Sequence, residues 1–206
     1  MSENSLYTRE AWKIFLSCLS DTGVLSVSRW YSSDRPGEIY RMVALASASL
    51  KDAGISSPQQ HMLLIRNIRA TRDREQPESV GTLLVSRTPF TAQDIDKLRG
   101  VSRDMEFEMV LDGQAAADPV LQTLTSGGDV EAFAKTYPIN IAPPTDDSPF
   151  FFQMLRLRDL AHLSLMRGGK NQHNMQAVFV LGILMVTVIA LGSTVGHIVE
   201  SLRWMS

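Results

Sequence analysis

One cysteine, Cys18, stands in 206 residues. That excludes an intramolecular disulfide framework and any cysteine-based zinc cluster. Cys18 falls inside a helical apolar pattern and reads as a small core residue. No charge of one sign dominates: 20 Lys and Arg face 22 Asp and Glu, for a net charge of −2. No global basic field therefore points to nucleic acid. The opening residues carry neither a basic n-region nor an apolar h-region, so no secretory signal peptide is expected. There is no internal repeat and no long low-complexity tract. The most pronounced gap is local, since no Asp, Glu, Lys or Arg occurs between Lys170 and Glu200.

The 44% hydrophobic content is enough for a globular core, and the length allows one domain plus an appendage. Leu19–Trp30 is the stretch the rest of the chain is organised around. Asp21-Thr22-Gly23 supplies turn chemistry, with Gly23 suited to a positive φ. Val24, Leu25 and Val27 then read as a strand buried on both faces. Before it, Thr8 can cap a helix running to about Leu19, with Ala11, Trp12, Phe15, Leu16 and Leu19 on one stripe. After it comes a helix over Glu38–Ala53, stopped by Gly54. Helix, turn, strand, helix is the grammar of a parallel α/β sheet. Ligands bind beyond the carboxyl ends of such strands, which here means Ser28-Arg29-Trp30-Tyr31.

His61–Arg66 and Gly81–Arg87 read as two further strands, antiparallel because no crossover helix lies between them. Asn67–Ser79 reads as a solvated loop. Thr91 with Asp94 resembles a capping box and opens a helix to about Arg99. Glu106–Leu111 reads as an edge strand, Asp112–Gly128 as loop, and Val130–Lys135 as a short helix. In Thr145–Phe152 two adjacent acids precede a proline and three aromatics. Adjacent acids on a strand point to opposite faces, which makes Asp146 and Asp147 a poor acid–base pair. They are either a polar turn leading into an aromatic plug or groups at the mouth of a site.

Ala177–Val195 would span roughly 28 Å as a helix, matching a hydrocarbon core of about 30 Å. A transmembrane helix over 175–199 is expected, and a buried helix is the alternative. Arg156, Arg158, Arg167 and Lys170 precede it, which by the positive-inside bias puts the N-terminal domain in the cytoplasm of an inner or plasma membrane. Gly192 and Gly196 form a GxxxG suited to a helix–helix contact. His173 and His197 flank the span too far apart to share a metal, and no metal site is expected. The domain reading is 1–152 for an α/β body, 153–174 for a basic connector, 175–199 for the span and 200–206 for a tail.

The segments SLYTREAW (5–12), GVLSVSRW (23–30), GTLLVSRTPFT (81–91) and TDDSPFFF (145–152) resemble, in order, the later half of spermidine synthase-like proteins. The likeness is closest to their bacterial membrane-embedded branch. The resemblance implies a partial Rossmann-like, class I methyltransferase-fold sheet, later strands only, with a membrane helix after it. It implies transfer of an aminopropyl or a methyl group from S-adenosylmethionine or its decarboxylated form. The family's glycine-rich donor loop, its ribose-holding acid and its catalytic Asp-rich segment all correspond to sequence upstream of this chain. No catalytic residue is therefore assigned, and the chain alone is expected to bind no donor. By the same alignment Glu3 and Tyr7 stand near the substrate entrance, while Ser28, Arg29 and Trp30 face the acceptor; Asp146 and Asp147 join them as substrate-binding candidates only through the site-mouth reading of their own segment. Arg29 puts a positive charge where a diamine would sit, which argues against a polycationic substrate; the alternative is that Arg29 pairs with an acid and Trp30 packs.

A half-sheet leaves an apolar strand edge open. The expected partners are lipid and either a missing N-terminal half or another protein on that edge. Two function classes follow: an incomplete adenosylmethionine-type transferase, or a non-catalytic binding or assembly module on a remnant α/β fold. A transporter-associated regulatory domain is a third, suggested only by the membrane helix.

Overall fold

The computed structural model describes residues 3–32, 36–67, 78–154, 156, 180 and 182–194. The chain divides into two compact units, Met1–Arg156 and Leu157–Ser206.

In the first unit the elements follow local sequence signals. Helix α1 (Arg9–Cys18) starts where the Thr8 side chain accepts from the Ala11 amide, and it buries Trp12 and Leu16. Gly23 then closes the turn into β1 (Val24–Ser32). It does so without a positive φ. The residue is needed there for close approach instead: a Cβ would stand 3.0 Å from Leu19 Cβ and from the Ser20 amide nitrogen. Helix α2 (Gly37–Asp52) ends at Gly54, whose φ of 87° sits in the left-handed region and lets the Ile55 amide reach back to the Leu50 carbonyl. Strands β2 (Met62–Asn67) and β3 (Glu78–Ser86) follow, then α3 (Ala92–Asp104) behind a complete Thr91–Asp94 capping box. β4 (Phe107–Leu111) is succeeded by α4 (Pro119–Thr125) and α5 (Val130–Thr136), capped by Asp118 and Asp129. Asp118-Pro119 is a cap followed by proline in the first turn, so the loop expected over Asp112–Gly128 contains a helix.

The four strands form one sheet in the order β1-β3-β2-β4, and every neighbouring pair is antiparallel. The expected partial Rossmann-like methyltransferase sheet with parallel neighbours is thus corrected. The architecture is α/β, but β1 meets β3, which runs between β1 and β2 and opposite to both. β1 is not buried on both faces either. Leu25, Val27, Arg29 and Tyr31 turn inward, while Val24, Ser26, Ser28 and Trp30 are exposed, a plain period of two.

α2 lies under the inner face and is buried along almost its whole length from Gly37 to Leu50. α1, α4 and α5 pack against it. Leu83, Val85, Met62 and Leu64 from the sheet join Leu45, Met42 and Trp12 in one core. α3 covers the other face beside β4, and Ile95 and Leu63 both lie next to Gly113. Gly81 is the close-approach point of the inner face, since a Cβ there would stand 2.8 Å from Ile39 Cδ1 and 3.0 Å from Tyr31 Cδ2.

In the second unit the described residues 182–194 form a helix whose side chains are all exposed. The hydroxyls of Thr187 and Thr194 donate to the carbonyls of Ile183 and Ala190. Thirteen residues rise about 20 Å, short of a ~30 Å hydrocarbon core. No helix among the described residues is long and apolar enough to cross a membrane. The expected transmembrane helix over 175–199 is corrected accordingly, and the inner- or plasma-membrane location with a cytoplasmic N-terminal domain loses the span it rested on. The rest of 175–199, Gly196, His173, His197, the tail and most of the 153–174 connector lie outside the described residues. Gly192 is described and has open space beside it.

Candidate functional site

Arg29 is the one charged side chain on the inner face of β1, and its surroundings define the site. Its guanidinium lies over the Tyr7 ring, 4.2 Å from the centroid, and within 5.1 Å of the Phe152 centroid and 5.9 Å of that of Phe151. These rings also pack on one another, with Tyr7 and Phe151 centroids 4.6 Å apart and Phe151 and Phe152 5.2 Å apart. A cation over several aromatic faces is held by their quadrupoles. Glu38, in the first turn of α2, completes the group. Burial pushes its carboxyl above the usual value, and the Arg29 charge opposes that shift without cancelling it. Its buried Oε2 has no hydrogen-bond donor.

The aromatic wall is fixed by Arg41. This residue is 3% exposed, and it donates from Nε to the Ala142 carbonyl and from Nη1 to the carbonyls of Phe150, Phe151 and Gln153 at 2.8–2.9 Å. Burial, and after it the Arg156 charge, lower the Arg41 pKa to about 10, which leaves it charged at neutral pH. Arg156 in turn donates to the carbonyls of Ala134, Lys135 and Tyr137 at the end of α5. The Arg9 amide donates to Pro144, and the Asp146 amide to the Glu10 carboxylate. The 141–153 segment is therefore strapped across the start of α1 and α2.

A second polar group adjoins the first through Tyr31. Arg66 pairs with Glu108 at 2.5 Å and lies 5.2 Å from the Tyr31 ring centroid. Tyr40 and Tyr137 meet edge to face at 5.8 Å. Burial raises the phenol pKa of Tyr31, Tyr40 and Tyr137, and the Asp118 charge adds to each shift. All three stay neutral at physiological pH.

Tyr7 and Arg29, both expected at the site, are in direct contact. Ser28 and Trp30 are on the opposite face, where the Ser28 hydroxyl shares a 2.8 Å hydrogen bond with that of Thr82 and Trp30 is 63% exposed. Asp146 and Asp147 sit exposed in a turn closed by the Ser148 amide on the Thr145 carbonyl. Glu3 opens a 3-10 turn over Glu3–Leu6, and its side chain lies outside the described ones. Glu38, Arg41, Tyr40 and Tyr137 were not expected, whereas Tyr31 belongs to the Ser28–Tyr31 stretch read as the ligand end of the strand. Strict alternation along β1 could have separated Arg29 from Ser28 and Trp30, but no local signal marks Glu38. Among the described residues no group of three or more His, Cys, Asp or Glu side chains could hold a metal ion.

No protein-family model, no curated protein and no solved structure matches this chain. The likeness to spermidine synthase-like proteins therefore stands on the four segments quoted above, and membrane, polyamine and S-adenosylmethionine chemistry gain no support from a relative.

Proposed function

We propose that this chain is one portion of a group-transfer unit, completed along β1 by a further portion that carries an adenosylmethionine-type donor. The supporting observation is the unfinished state of β1. It is nine residues long, and among the described residues no strand pairs with its outer edge. Its core-facing Leu25 and Val27 are only half-buried, whereas Leu83, Val85, Met62 and Leu64 on the neighbouring strands are fully buried. An apolar edge of this length, without proline or lysine, is left open where another strand pairs with it.

Arg29, Tyr7, Glu38 and Phe152 lie at the carboxyl end of this strand, so a donor carried by the added portion would meet them. The transferred group, aminopropyl or methyl, comes from the resemblance of the four segments alone. A second reading is a non-catalytic assembly module using the same edge. It is favoured by Arg29 being stacked on three rings, an arrangement that serves packing as well as binding.

The test has two readouts on the native complex isolated from its source. Amide hydrogen exchange at Leu25, Val27 and Arg29 should be slow in the complex and fast in the chain alone. Calorimetry should then find S-adenosylmethionine or its decarboxylated form bound to the complex and not to the chain. Protected β1 amides with no donor binding would leave the assembly module; unprotected amides would sink both readings.

A further inference from the structure

Where the 141–153 segment meets the end of α5, hydrogen-bond donors outnumber the acceptors left for them. Arg41 takes four carbonyls of the segment. Arg156 takes three at the end of α5, and the Asn140 amide takes that of Met154 at 2.8 Å. Two sets of N–H groups remain. Arg41 is 3% exposed, yet its Nη2 makes no hydrogen bond and is not sealed from solvent. Asn140 accepts the Ala142 amide on Oδ1 at 3.2 Å, and its Nδ2 is left without a partner. The two groups are neighbours through Ala142, whose carbonyl takes Arg41 Nε and whose amide goes to Asn140. The charge is unbalanced as well. Among the described residues the charge that acts on Arg41 is that of Arg156, of the same sign, and no described carboxylate acts on it.

We propose that this corner binds a small oxyanion, inorganic phosphate or the phosphoryl group of a small molecule, between Arg41 Nη2, Asn140 Nδ2 and the Arg156 guanidinium. The assignment does not depend on the reading of β1. Three features select the class of ligand. Spare N–H groups beside carbonyls that are already engaged suit a ligand that accepts hydrogen bonds, and an amine or a metal cation would meet like charge. Two guanidinium charges are matched by a phosphoryl group, which carries about −1.5 to −2 near pH 7 and three acceptor oxygens, better than by a single carboxylate. Finally, Arg41 has spent Nε and Nη1, so it cannot form the two-bond fork that a carboxylate favours. It gives from Nη2 alone, and a tetrahedral group can spread its oxygens over separate donors. The small opening at Arg41 admits one such group and excludes a macromolecular surface.

The experiment is a titration of the full chain with inorganic phosphate at fixed ionic strength, following the side-chain nitrogen signals of Arg41 and Asn140 by NMR. Both signals should shift together and saturate, and chloride should move neither. Methyl phosphate saturating at a similar concentration assigns the site to a phosphoryl group on a small molecule. Saturation by inorganic phosphate alone assigns it to the free ion, and either result upholds the site. Asn140→Asp keeps the acceptor for the Ala142 amide while replacing two donors by a negative charge. It should weaken phosphate binding about tenfold or more and, without phosphate, raise the thermal midpoint by supplying the missing countercharge. Shifts that follow ionic strength alone, saturation by acetate at or below the phosphate concentration, or a lowered midpoint for phosphate-free Asn140→Asp would each overturn the assignment.

Discussion

α2 and α3 lie against opposite faces of one sheet and are wrapped to very different degrees. α2 is enclosed from Gly37 to Leu50, touched by the sheet on one side and by α1, α4 and α5 on the other. α3 buries only Ile95 and Ser102. Both begin with an acid in the first turn, yet the two acids are shifted in opposite directions. Glu38 is desolvated and raised, and Asp94 is solvent-exposed and lowered by the hydrogen bonds it accepts from Thr91. Enclosure, rather than position in a helix, decides what a first-turn carboxylate does. One side of this sheet is finished and the other is half open.

The sharpest way to break that comparison is to take the keystone from the finished side. Arg41→Met removes the donors to four carbonyls, and equilibrium urea unfolding should show a loss of about 4 kcal/mol. Truncation of one apolar side chain in each helix comes next. Leu45→Ala in α2 should cost about 3 kcal/mol by the same assay, whereas Val101→Ala in α3 should stay within about 0.5 kcal/mol. Equal losses would mean α3 is as enclosed as α2.

Gly81→Ala tests how closely the sheet and α2 approach. Its Cβ would meet Ile39 Cδ1 at 2.8 Å, so a loss of about 2 kcal/mol is expected. Adding Ile39→Val removes that atom, and the double variant should be more stable than Gly81→Ala alone. Thr91→Ala takes away the hydroxyl that accepts from the Asp94 amide and donates to the Asp94 carboxylate, leaving only the bond from the residue 91 amide, and should lower stability by about 1 kcal/mol, visible as a lower thermal midpoint.

The pH dependences should have opposite signs. Glu38 binds its proton more tightly folded than unfolded. Its contribution is fully present below the ordinary value of 4.5 and is lost as pH rises through the raised folded value. Asp94 has a depressed folded pKa, so its contribution is present above the ordinary 3.8 and lost as pH falls below it. Stability of Glu38→Gln relative to the parent should therefore improve with rising pH, and that of Asp94→Asn should improve with falling pH.

What the sequence made legible was chiefly local. The Thr8 and Thr91 caps and the Gly54 stop are decided within a few residues, and each appears where expected. Strand pairing depends on partners 50 residues away, so β1 read as parallel and doubly buried although Ser26 and Ser28 already marked an exposed face. α4 was missed because the Gly- and Ala-rich stretch around Asp118-Pro119 outweighed a clear start signal. At the site, Tyr7 and Arg29 came from the resembling segments. Glu38 was out of reach, because only the placement of α2 under β1 brings it near Arg29.

Arg41 has one more consequence, for the time at which this body closes. Its carbonyl acceptors lie 101, 109, 110 and 112 residues further along the chain. On a ribosome adding about 5–20 residues per second, the arginine is made roughly 5–20 s before its acceptors. Through that interval α2 carries a cation on a surface destined for burial. The nascent body stays open at this corner until Gln153 clears the exit tunnel, and chaperones or a second chain have that long to reach the core.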